Sequence, residues 1–182
     1  MNLPSALELN QIDMRPVVDH FIKADETKYL TMPAGKEHYR LLRWFAETNS
    51  NKRITEIGCH MALSTVCLAW NKQNMVTTYD IDYSYLKWKQ QPNNVYRLQT
   101  FGANSFYPGV YYSDIIFVDT AHYGIMEIEL FKYLKSMEWK GILIYDDIYL
   151  NDEMMAFWKA VDVPKIDATN IGHSTGTGII EL

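Results

Sequence analysis

Three carboxylates stand at the ends of two apolar runs. Residues 114–119 have an unbroken apolar centre and end on Asp119, with His122 three residues on. Residues 140–145 form a second such run and end on the pair Asp146-Asp147. An unbroken apolar centre suits a parallel strand buried on both faces, and ligands of parallel sheets bind beyond the carboxyl ends of their strands. If the two runs are neighbours, the three aspartates crowd one edge of a cleft. Like charges a few ångströms apart repel by about 4 kcal/mol per pair at an effective dielectric of roughly 20. A proton or a divalent cation must relieve this, because the nearest cations in sequence, Lys132, Lys135 and Lys140, fall at far ends of a helix or strand. Oxygen-only ligands point to a hard ion, Mg2+, Ca2+ or Mn2+, held by Asp119, Asp146 and Asp147. Helix capping or a solvated strand end accounts for a single aspartate better than for the trio.

A second constellation lies earlier, in Arg53-Ile-Thr-Glu56-Ile-Gly58-Cys59-His60-Met-Ala62-Leu-Ser64-Thr65. A short β-rich run ends on Gly58, and a helix-period run follows from about residue 64. A strand, a tight glycine turn and a helix start bring backbone N–H groups up to a ligand. The next strand, residues 77–82, carries Asp80, placed to accept hydrogen bonds from both hydroxyls of a ribose. A nucleoside-type ligand follows. Gly58 has no second glycine after it and no G-K-[ST] is present, so neither the dinucleotide fingerprint nor the P-loop applies.

These residues need a frame, and the pattern supplies an alternating one. Residues 1–32 read as an irregular or partly helical extension, and residues 33–182 as the core of a single domain. Pro33 is expected to open a helix through about residue 47, and residues 83–89 a short helix. Residues 95–100 read as a third strand and residues 102–112 as a loop. A helix at 124–137 shows Met126, Leu130, Leu134 and Met137 on one face. Another helix, capped by Asn151 or Asp152, runs to about 161, and two last strands, 165–169 and 177–182, form a hairpin. Alternating strands and helices argue an α/β fold, a parallel sheet covered on both faces.

Composition narrows the function. A net charge of −5 without a basic run disfavours polynucleotides. No stretch approaches a transmembrane span and no signal peptide is recognisable, so a cytoplasmic protein without a membrane partner is expected. Cys59 and Cys67 are the only cysteines, too few for a disulfide framework.

The segment from Glu56 to Thr65 resembles the first motif of class I S-adenosylmethionine-dependent methyltransferases, with Ala62 where those families usually carry glycine. Asp119-Thr-Ala121-His122-Tyr123 and Lys140-Gly141-Ile-Leu-Ile-Tyr-Asp146-Asp147 resemble the D-G-D-H-x-Y and G-G-x-x-x-x-D-D segments of one such family. The acids after strands four and five are also similar to those of metal-dependent O-methyltransferases of the catechol type and of sugar and antibiotic biosynthesis. The resemblance spans roughly residues 35–182. It implies a Rossmann-like, seven-stranded, mostly parallel sheet of order 3-2-1-4-5-7-6, with S-adenosylmethionine as cofactor. Glu56, Gly58, Cys59, His60 and the Ala62–Ser64 turn would hold its methionine part, with Asp119 beside it, and Asp80 its ribose.

The implied reaction is methylation of a hydroxyl on a small molecule, a sugar or glycan among the candidates, assisted by Mg2+ on the three aspartates. Some of the sugar enzymes use a second acid as general base where this chain has Ala121, so the role moves to His122. A histidine of ordinary pKa near 6.5 suits it. A metal-free variant with His122 or Asp119 as direct base is the alternative, and a nucleotide-binding module without turnover is a third reading. Of the other histidines, His60 reads as a wall residue, His173 as a turn residue within reach of the cleft rim, and His38 as a surface residue of a roofing helix. Homo-oligomerisation is left open.

Overall fold

The computed structural model describes residues 1–22, 25–100 and 109–182. Its seven strands are β1 (Arg53–Ile57), β2 (Met75–Asp80), β3 (Val95–Gln99), β4 (Ile115–Val118), β5 (Ile142–Asp146), β6 (Lys165–Asp167) and β7 (Thr177–Glu181). They form one sheet of order β3-β2-β1-β4-β5-β7-β6, the order expected. The first five strands are parallel, and β7 enters antiparallel between β5 and β6. Among the described residues no helix is long and apolar enough to cross a membrane.

Side chains alternate across a strand, so each central strand feeds two cores. Ile115, Phe117, Ile144 and Ile179 pack on one face with α3 (Tyr39–Thr48) and α4 (Leu63–Leu68). Ile116, Val118, Leu143, Tyr145 and Ile180 pack on the other with α5 (Ile125–Ser136) and α6 (Asp152–Ala160). The N-terminal residues join the first core. Helices α1 (Ala6–Asn10) and α2 (Arg15–Val18) bury Leu9 and Val17 there, beside Met14, Phe21 and Leu30. A capping box between Ser5 and Glu8 starts α1.

Three expectations are corrected. The helix expected from Pro33 starts only at Tyr39. Gly35 takes φ +83, and a Cβ there would lie 2.7 Å from the Asn170 carbonyl oxygen, so the chain turns against the β6–β7 connection first. That turn delivers Glu37 to His173 and His38 to Asp146, at the end of β5. Residues 83–89 do not form a helix. Asp82 instead accepts from the Ser84 N–H at 2.8 Å, a local bond that competes with helix. Trp88 then bridges Phe21, with Ile22 N–H donating to Lys87 O at 2.7 Å. On α5 the buried face is Glu127, Leu130, Phe131 and Leu134, and Met137 is exposed at its end. The loop expected at 102–112 lies outside the described residues up to 108. Past them, Gly109 leads into a short 3-10 turn, Val110–Tyr112.

Candidate functional site

The turn after β1 is fixed by backbone. Gly58 N–H donates to Tyr79 O at 2.8 Å and Asp119 N–H to Ile57 O at 2.9 Å, which draws the ends of β1, β2 and β4 together. Gly58 takes φ +84, and a Cβ there would sit 1.7 Å from the Asp119 carbonyl oxygen. Only glycine fits. His60 and Ala62 are also left-handed, at φ 45 and 68. Ala62 thus keeps the backbone conformation that glycine holds most cheaply, while its methyl group is fully buried.

Asp80 closes the turn from the side. One carboxylate oxygen accepts from Cys59 N–H at 2.8 Å and His60 N–H at 2.9 Å, and the other from Asp82 N–H at 3.1 Å. Burial works against its charge, but these backbone donors outweigh it and hold its pKa below the usual value. Asp80 therefore organises the loop as well as facing the cleft. Glu56 has another place than expected. It is fully buried beneath the turn, where Thr65 donates to its carboxylate. Burial raises its pKa to about 7, against the lowering effect of the neighbouring Ser64 and Thr65 hydroxyls. Glu56 and Thr65 thus tie β1 to α4, and Glu56, Ala62, Ser64 and the Cys59 side chain are all buried.

Between these walls lies a cleft of about 1040 Å³. Gly58, His60 and Asp80 line one side, and Asp119, Thr120 and His122 the other. Ile81, Tyr123 and Ile125, each about two-thirds exposed, give it an apolar rim.

Behind Asp119 the three expected aspartates meet imidazoles. His122, held at φ 56, places Nε2 at 3.3 Å from Asp119 and 3.4 Å from Asp147. Asn151, which caps α6, also donates to the His122 carbonyl at 3.0 Å, so one residue fixes both helix and turn. His173 Nδ1 lies 3.3 Å from Asp146 and 3.0 Å from Asp147, and its Nε2 lies 3.7 Å from Glu37. Thr175 donates to the Asp147 oxygen nearest His173. His38, expected at the surface, is 2% exposed and sets Nδ1 3.2 Å from Asp146 Oδ1.

The charges answer one another. Burial disfavours each imidazolium, yet Asp146 holds His38 above its ordinary pKa, and Asp119, with Asp147, does the same for His122. His173 is raised against burial to about 11 by Asp146 and Asp147. Burial would lift Asp146, but His38 and His173 hold it well below the usual carboxylate range. Asp119 goes up, because burial outweighs His122.

Whether these residues fit a cation depends on their donors. His38 Nδ1 and Nε2, Asp146 Oδ1 and His122 Nδ1 are buried without a hydrogen-bond partner. The expected all-oxygen trio is not the set the fold gathers. Ligand atoms within 4.8 Å of one another occur in His38–Asp119–Asp146, in Asp146–Asp147–His173 and in Glu37–His38–His173, among the described residues. Asp119 and Asp147 fall in different sets, with imidazoles between them. Part of the mutual repulsion is therefore answered by histidines. Sequence reasoning undervalued His38 and His173 and missed Glu37. The signals were thin: a histidine beside a polar helix start, and a Gly-His-Ser-Thr-Gly turn.

No family model and no curated protein matches this chain. Solved structures do match it in fold. A Staphylococcus aureus protein assigned as a caffeoyl-CoA O-methyltransferase aligns at 17% identity and TM-score 0.61, over 95% of this chain and 94% of its own. The SAH-bound methyltransferase PaMTH1 of Podospora anserina aligns at 14% and 0.59, over 100% and 89%. The O-methyltransferase TomG of Streptomyces achromogenes, involved in tomaymycin synthesis and solved with SAM, aligns at 16% and 0.56, over 79% and 78%. At these identities the likeness is one of fold: this chain has the Rossmann-like fold of those methyltransferases.

Proposed function

We propose that this protein is an S-adenosylmethionine-dependent methyltransferase acting on a hydroxyl oxygen of a small molecule. One observation carries the reading. A cleft with the Gly58 turn and the Asp80 carboxylate on one wall has a histidine–carboxylate pair, His122 and Asp119, on the other. The turn and Asp80 would seat the cofactor, with Asp80 accepting from the ribose hydroxyls through its remaining lone pairs. The bound cofactor supplies the methyl group as an electrophile. His122 would take the proton from the acceptor hydroxyl, and Asp119 and Asp147 hold its ring in place and stabilise the imidazolium that results. A divalent ion on the neighbouring carboxylates would supply Lewis-acid polarisation of the hydroxyl. The apolar rim at Ile81, Tyr123 and Ile125 suits the ring of an aromatic or sugar acceptor.

Calorimetric titration with S-adenosylhomocysteine tests the cofactor site. Binding is expected, with at least a tenfold loss in Asp80→Ala, which forfeits charge-assisted hydrogen bonds worth about 1.5–3 kcal/mol each. Part of that loss reflects the turn, since Asp80 also holds Cys59 and His60. No heat with the native chain would leave the fold as a module without this cofactor. Labelled S-adenosylmethionine incubated with a metabolite extract would then identify the acceptor.

A further inference from the structure

We infer that His38 is a metal ligand, joined by Asp119 and Asp146, and that the site selects an imidazole-binding divalent ion such as Zn2+ over Mg2+. The inference deepens the proposed function and rests on the same cleft. Its starting point is the partnerless atoms. His38 and Asp146 are 2% and 3% exposed, and neither His38 nitrogen nor Asp146 Oδ1 has a hydrogen-bond partner. Burying such a group unsatisfied is costly. His38 Nδ1 and Asp146 Oδ1 stand 3.2 Å apart as a buried ion pair, and His38 Nε2 has no partner at all among the described residues. That interval is close to the edge, about 3.3 Å, of a tetrahedral shell with bonds of roughly 2.0–2.1 Å.

A third ligand is at hand. A carboxylate oxygen of Asp119 lies within 4.8 Å of both His38 and Asp146 donors, and Asp119 also lines the cleft. An ion on these three would therefore adjoin the acceptor's space. Asp147, expected as a ligand, is engaged elsewhere. Thr175 donates to it, and it stands against both His122 and His173. It belongs with the carboxylates that orient rings around a centre. His173 Nδ1 in turn lies 3.3 Å from the second Asp146 oxygen, which leaves Oδ1 to the side of His38.

The donor set decides the ion. Carboxylate and water suit Mg2+, Ca2+ and Mn2+, whereas an imidazole in the shell favours Zn2+, Fe2+ and Ni2+. One imidazole with two carboxylates, at a site with further imidazoles in its surround, is poorly matched to the octahedral oxygen shell of Mg2+.

The test uses the full chain, stripped with a chelator and titrated calorimetrically with Zn2+ alone and with Mg2+ alone. Zn2+ is expected to bind one per chain and at least 100-fold more tightly than Mg2+. His38→Ala should weaken Zn2+ at least tenfold while S-adenosylhomocysteine affinity is kept. Co2+ in the native chain should give visible ligand-field absorption that His38→Ala loses. If His38→Ala does not fold, Asp146→Asn serves in its place with the same expectation. Equal affinity for the two ions, Zn2+ binding indifferent to both substitutions, or no metal binding at all would overturn the inference and leave an ion-paired histidine–aspartate cluster. S-adenosylhomocysteine binding separates the two claims. Binding without Zn2+ selectivity sinks the metal inference alone, and Zn2+ selectivity without it sinks the cofactor reading alone.

Discussion

The two walls of the cleft are built by different means. The Gly58 wall is made of backbone: a left-handed glycine, two further left-handed residues and a carboxylate bound to three N–H groups, all between residues 56 and 82. The Asp119 wall is backed by side chains from four separate stretches, around residues 37–38, 119–122, 146–147 and 173–175. A wall of local backbone is set by conformation and is hard to alter without cost to the fold. A wall of converging side chains is set by tertiary packing, and its members can be changed singly. Binding and chemistry should therefore separate on substitution.

The largest separation is expected at His122. His122→Ala should lower turnover roughly 10²–10⁴-fold, read in a methyl-transfer assay, with S-adenosylhomocysteine affinity unchanged by calorimetry. The base acts in its neutral form. Since Asp119 and Asp147 hold the His122 pKa above the ordinary value against burial, turnover should climb as pH rises beyond the usual histidine range. Affinity falling in step with turnover would mean that the walls act as one unit.

On the backbone wall the order reverses. Gly58→Ala puts a methyl group 1.7 Å from the Asp119 carbonyl oxygen at a left-handed φ. Strain and overpacking together should cost roughly 3 kcal/mol or more, seen in the denaturant midpoint, and S-adenosylhomocysteine binding should be lost. A variant of native stability and affinity would show that the turn is less constrained than its geometry requires.

A smaller effect sharpens what lies beneath that wall. The folded Glu56 pKa of about 7 stands above its ordinary 4.5. The native state thus holds the proton more tightly than the unfolded chain, and the stability this gives is full below pH 4.5 and lost as pH rises through 7. Glu56→Gln should match the native chain near pH 4 and exceed its stability at pH 8 by on the order of 1–3 kcal/mol. Unfolding curves with equal separation at both pH values would place the Glu56 carboxylate in a wetter setting than the buried one described.

How far the sequence reached follows the same division. The strands and the glycine turn were legible because each rests on short-range rules: alternation, unbroken apolar runs, and a glycine between a strand and a helix; the strand order was implied only by the resemblance of the motifs to class I methyltransferases. The acids at the ends of β4 and β5 were legible for the same reason, since strand ends carry them to one edge. Two of the helices read from local pattern failed. The Pro33 helix yielded to a turn at Gly35, and the helix at residues 83–89 yielded to the Asp82–Ser84 bond and the bridge to Phe21.

The sequence by itself thus determined the strands, the position of the glycine turn and the carboxylates at the strand ends, because these depend on neighbours along the chain. Tertiary structure alone decided what surrounds them. It set Glu56 beneath the turn against Thr65, and it brought His38 and His173 to Asp146 from a helix start and a hairpin turn. Nothing in the spacing of those histidines marks them, since an imidazole is polar enough for the surface and apolar enough for the core. Its place is decided by which buried charge it meets, and that meeting exists only once β5, α3 and the β6–β7 connection have packed.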